Sequence, residues 1–141
     1  MEKFERILVP LDGSRCAENI LPKVEQLATD LKARICLLRV AYAHTFPGAD
    51  PTDAEVKVVR EAEEYVGKIQ ERLKAKGFDA DWHVRYGDEA DEILDHIAQK
   101  EVDLVAMSTH GRSGVKRFLL GSVAEKILRH SSKPVFLVRC T

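Results

Sequence analysis

An open, five-stranded parallel α/β sheet with helices on both faces is the fold this 141-residue sequence predicts. Three observations lead there. Short apolar runs alternate from end to end with segments whose apolar residues recur every three or four positions. The connections are long enough for right-handed crossovers between parallel strands. The composition, 45% hydrophobic and 32% charged, is that of one ordinary globular domain spanning 1–141 rather than a disordered chain.

Ile7-Leu8-Val9 is the first strand, apolar on both sides as buried parallel strands are, and it stops at the loop chemistry of Pro10-Leu11-Asp12-Gly13-Ser14. Ala17, Ile20, Val24, Leu27 and Leu31 mark one face of a first helix. Ile35 to Val40 is the second strand. Thr52 and Glu55 stand at capping-box spacing and open a long helix with the stripe Val59, Ala62, Val66, Ile69, Leu73, closed by Gly77. Ala80, Trp82, Val84 and Tyr86 alternate with polar residues, which predicts a strand at a sheet edge. Gly87-Asp88 starts a helix facing inward with Ala90, Ile93, Leu94 and Ile97. Val102 to Met107 is the fourth strand, Ser122 and Glu125 repeat the capping-box spacing, and Val135 to Val138 is the fifth strand.

The 22 Lys and Arg against 23 Asp and Glu leave a formal charge of −1, which argues against generic nucleic-acid binding. No apolar run is long enough for a membrane span or a signal core, and Cys16, Cys36 and Cys140 form no CxxC. The expectation is a cytoplasmic chain with reduced thiols.

Chemistry concentrates in one segment. No acid lies between Asp103 and Glu125, while His110, Arg112, Lys116 and Arg117 do, among small residues at 108, 111, 113, 114, 121 and 122. The segment opens onto a helix start, where free N–H groups and the dipole favour an anion. Two readings stand on these features: a phosphate cradle, or a basic surface loop with an ordinary cap. Ligands of such sheets bind beyond the strand C-termini at a switch point. The crevice between 10–14 and 108–122 is therefore the candidate, if the first and fourth strands are neighbours. No Walker motif and no GxGxxG follow a strand here.

Ser108-x-x-Gly111, nine residues, then Gly121-Ser122 resembles the universal stress protein signature G-x2-G-x9-G-[S/T]. Ile7 to Ser14, Gly87-Asp88 and Ser132-Lys133-Pro134-Val135 also resemble that family, so the likeness spans almost the whole chain. It implies a 3-2-1-4-5 sheet of the adenine nucleotide alpha hydrolase type, usually homodimeric, with ATP or a related adenine nucleotide bound in some members and not in others. Carried over by position, Pro10 and Asp12 lie at the adenosine end, and Val40 meets adenine through its backbone. Met107, Ser108, Gly111, Gly121, Ser122 and Val123 line ribose and phosphates. Ser108 stands where the family has glycine.

Asp12 is either a ligand group, reaching Mg²⁺ or Mn²⁺ indirectly through the phosphates, or plain turn chemistry. Ser122 is expected as the helix N-cap, its carboxylate partner Glu125 occupying part of the anion site. Cys16, near a helix start, is placed where a thiol pKa tends to fall. The leading expectation is a nucleotide-binding stress-response module. The runner-up is a dimeric interaction protein of the same family without nucleotide. A slow ATP hydrolase is third, because no dedicated base accompanies the cradle and no catalytic residue is assigned. The homodimer is expected through strand 135–139, the more apolar of the two sheet edges.

Overall fold

The computed structural model describes residues 3–44, 47–110 and 121–140. The chain runs β1 (Arg6–Leu11), α1 (Arg15–Glu18), α2 (Leu21–Leu31), β2 (Arg34–Ala41), α3 (Pro51–Ala75), β3 (Ala80–Tyr86), α4 (Glu89–Gln99), β4 (Leu104–His110), α5 (Ser122–His130) and β5 (Val135–Cys140). The strands form one parallel sheet in the order β3-β2-β1-β4-β5. The neighbouring of β1 and β4, left conditional by the residues alone, is thus established.

The sheet separates two cores. Ile7, Val9 and Leu11 of β1 point to the face covered by Val24 and Ala28 of α2 and by Val66, Ile69 and Leu73 of α3. Leu8 points to the opposite face, against Ile93 and Ile97 of α4 and Ala124 and Ile127 of α5. Alternation within an unbroken apolar run thus serves two layers, as parallel sheets require. The residue-by-residue register is Ile7 opposite Ile35 on β2 and opposite Leu104 on β4.

Several boundaries differ from the sequence expectation: β1 runs on through Pro10 and Leu11, which were expected in the loop, because both still pair with β2, and β5 continues to Cys140. The single first helix is two, broken at Asn19 and Ile20. Pro22 has no N–H for the Glu18 carbonyl and its ring crowds that group, so the helix restarts with Pro22 in its first turn. Leu31, expected on the buried stripe, is 38% exposed. The long helix is capped by Asp50 rather than Thr52. Its carboxylate accepts the Thr52 N–H at 2.9 Å, because Pro51 takes the first helical position. The fourth strand begins at Leu104 and runs on to His110. The Asp103 carboxylate accepts the N–H groups of Glu5 and Arg6, both at 2.9 Å, and so holds the chain before the strand to the start of β1.

His96 on α4 is 3% exposed. Its Nδ1 lies 3.3 Å from the Arg85 guanidinium, which only donates, so Nδ1 accepts and the ring is neutral. Burial, with His83 and Arg85 adding positive charge nearby, pulls its pKa down to about 4 from 6.5. The unfolded chain therefore binds the proton more tightly between those values. Stability should fall as pH drops from 6.5 toward 4, and His96→Gln should flatten that slope in chemical denaturation series.

Candidate functional site

The turn after β1 is built by its own side chains. The Asp12 carboxylate accepts the Ser14 N–H at 2.8 Å, and the Ser14 hydroxyl accepts the Ala17 N–H at 3.0 Å, capping α1. Gly13 has φ +86°, a conformation that side-chain-bearing residues rarely adopt. Turn chemistry is thus a real role of Asp12, and it uses one of two carboxylate oxygens, leaving the group at the rim of a crevice.

That crevice, of about 220 Å³, lies between the C-terminal ends of β1 and β4 and the start of α5. Of the residues expected there, Pro10, Asp12, Met107, Ser108, Gly121, Ser122 and Val123 line it. Val40 does not; its side chain is half-buried against the second core. Gly111, the cations Arg112, Lys116 and Arg117, and the His110 side chain lie outside the described residues.

Ser108 is unstrained, since Lys32 is the one non-glycine with positive φ among the described residues. A glycine is not needed there for backbone reasons. The Ser108 hydroxyl oxygen is buried and has no hydrogen-bond partner among the described residues, an arrangement that normally calls for a partner.

The start of α5 corrects the capping expectation. Gly121, not Ser122, is the N-cap, and no side chain among the described residues caps the helix. Ser122 is the first helical residue and Glu125 therefore falls one position beyond capping-box spacing. Glu125 instead meets Arg129 at 2.8 Å. The expected carboxylate is absent from the anion site, and the first-turn N–H groups of α5 face the crevice uncapped. A Cβ at Gly121 would meet no heavy atom within 4 Å among the described residues, so the space in front of it is open.

Glu89 was not anticipated. It is the first residue of α4, and its half-buried carboxyl lines the crevice with Asp12. Burial raises its pKa, the Asp12 charge raises it further, and the Arg39 guanidinium opposes both. The sequence signal was its place beside the Gly87-Asp88 helix start, but nothing local says that this turn reaches the loop after β1. Arg39 packs over the Tyr65 ring at 5.6 Å and under Gly13. Among the described residues no group of three metal-ligating side chains gathers, so a cation here would need ligands from its own anion. Cys16 also departs from expectation: burial and the neighbouring Cys140 push its thiol up to about 12.

Comparison with known proteins follows the same outline. A model of the universal stress protein family matches residues 3–139. The universal stress protein YxiE of Bacillus subtilis is 29% identical, over 96% of this chain and 99% of its own. The solved structure of MJ0577, from Methanocaldococcus jannaschii, superposes with a TM-score of 0.84 at 28% identity, covering 99% of both chains. A universal stress protein solved in complex with cAMP has a TM-score of 0.65 at 21% identity, covering 99% of this chain and all of its own.

The raised Glu89 carboxyl makes a prediction for the folded chain. The folded state holds this proton more tightly than the unfolded one, so the group costs stability as pH rises out of the carboxylate range. Glu89→Gln should therefore raise the urea midpoint at about pH 7, with a smaller gain at about pH 5.

Proposed function

The chain belongs to the universal stress protein family, and from that premise we propose that it is a nucleotide-binding module whose crevice takes ATP or a related adenine nucleotide with Mg²⁺ or Mn²⁺. The observation that carries this reading is the start of α5, uncapped among the described residues, on one crevice with the Ser108 hydroxyl, which has no partner among them. Free helix N–H groups with the positive end of the dipole form an anion site, and the hydroxyl adds a donor or acceptor beside it. The cAMP complex of a relative supports an adenine nucleotide as the class of anion.

The charges of the crevice support the metal. Asp12 and Glu89 bring two carboxylates to the crevice in which the anion would sit. A divalent cation held by the phosphates and faced by Asp12 removes that repulsion, and hard oxygen ligands suit Mg²⁺. Asp12 thus acts on the metal through the nucleotide. The runner-up, a family member without nucleotide, drew its support from the serine at 108. The ordinary backbone conformation there removes the part of that argument that rests on a positive φ.

The same reading includes a homodimer through 135–139. β5 pairs with β4 on one side, and its other edge has no strand partner among the described residues. Phe136 of this strand is 36% exposed, and on the opposite face of the sheet Leu128 of α5 is 41% exposed. A two-fold copy of the strand would pair the open edge and cover this apolar surface.

Two outcomes are expected. Calorimetric titration with ATP and Mg²⁺ should give one site, weakened by chelating the metal. Gly121→Val should cut affinity at least about tenfold, roughly 1.4 kcal/mol, with an unchanged melting temperature, because its side chain enters open space. The absence of heat at millimolar nucleotide overturns the reading. In light scattering the chain should run near twice 15.9 kDa. Phe136→Lys should shift it toward monomer without loss of fold; Val138 is a poorer probe because it packs on the core.

A further inference from the structure

Two of the three cysteines, 124 positions apart by their numbers, meet in the folded chain. α1 carries Cys16 and Asn19, three residues apart and so on one side of the turn. The Cys16 thiol contacts the Thr109 carbonyl at 3.6 Å. Asn19 donates from Nδ2 to the Cys140 sulfur at 3.4 Å. On the sheet, Thr109 and His110 at the end of β4 are registered against Arg139 and Cys140 at the end of β5. One short helix and its C-cap therefore sit on the ends of two neighbouring strands and bring the Cys16 thiol beside the strand end that carries Cys140. Both residues are half-buried, so both are within reach of a small oxidant. Cys36 is 8% exposed on the other side of β1, away from this pair.

We propose that Cys16 and Cys140 form an intramolecular disulfide site, closed by a hydroperoxide and opened by a dithiol. The observation behind it is the double tether of α1 to the strand ends, through Cys16 on Thr109 and Asn19 on Cys140, which holds the sulfurs together before any bond forms. The Cys140 sulfur attacks one peroxide oxygen, the O–O bond breaks, and hydroxide or alkoxide leaves and takes up a proton. Cys140 is then a sulfenic acid. The Cys16 sulfur attacks that sulfur, the S–O bond breaks, and the oxygen leaves as water with the remaining thiol proton. The two sulfurs together give up two electrons, and the peroxide takes up two electrons and two protons. Cys16 is the resolving thiol in this order: burial keeps it protonated, which makes it a poor first nucleophile.

The site is distinct from the crevice but shares an element with it. Ala17, between the two tethering residues, lines the crevice, and Ser14 at the start of α1 is bonded to Asp12. The disulfide fixes α1 to the last strand and so fixes one wall of that crevice.

The test does not depend on nucleotide. The folded full-length chain is treated with hydrogen peroxide, then denatured and its thiols counted. The count should fall from three to one, the mass by two hydrogen atoms, and dithiothreitol should restore both. Peptide mapping should join the segments holding 16 and 140 and leave Cys36 as a free thiol. Cys36→Ser should still form the bond, whereas Cys16→Ser and Cys140→Ser should each form no internal disulfide. The proposal is overturned if all three thiols persist, if the oxidised sulfurs end as sulfinic or sulfonic acids, or if Cys140 links two chains into a covalent dimer.

Discussion

The double burial of β1 is the constraint on which the rest of the molecule rests. Ile7, Leu8 and Val9 are fully buried, and each successive side chain belongs to a different core. Neither helical layer can be removed without exposing half of this strand, so both crossovers are required. The same strand also opens the crevice. Its ladder to β2 continues to Leu11, whereas its pairing with β4 is registered at Ile7 and Leu8. Pro10 has no N–H to offer either neighbour, and beyond Leu8 no partner of β1 is registered on β4. The gap between them is the switch point of the fold.

What fills that gap is decided by helix ends. α1, α3 and α4 are each capped by a side chain, Ser14, Asp50 and Asp88 respectively. Among the described residues α2 and α5 start without one, at Ile20 and Gly121, and α5 is the one whose first turn lines the crevice. An uncapped helix start leaves N–H groups unsatisfied, and the proposed phosphate site rests on them. The carboxylates of Asp12 and Glu89 act in the opposite sense, and Arg39 offsets them in part. That opposition is why the proposed anion is one that brings its own divalent cation.

The four-residue helix α1 joins the two chemistries. Its N-cap belongs to the turn of Asp12, its middle lines the crevice, and its Cys16 and Asn19 rest on the ends of β4 and β5. Pro22 is the reason this segment is a separate piece: it stops the turn from continuing into α2. A break that looks like a defect in the helical stripe therefore produces a small element able to touch both strand ends.

The strand and helix order, the two-sided burial of β1, the edge position of β3 and the turn at Gly13 were legible in the sequence, because each depends on periodicity or on a residue with a local conformational preference. The signature residues around 108–122 likewise pointed to the crevice, and Pro10, Asp12, Met107, Ser108, Gly121, Ser122 and Val123 do meet there. Other features depend on groups far apart in the chain and were not legible. Capping at α5 shifted by one residue, because Gly121 already satisfies the cap geometry, and Glu125 turned to Arg129 instead. Glu89 entered the crevice and Cys16 met Cys140 only because the parallel crossovers bring α4, α1 and the ends of β4 and β5 to the same edge of the sheet. Local pattern determines which elements form; which side chains become neighbours is decided by packing the two cores on β1, a long-range condition that no window of sequence contains.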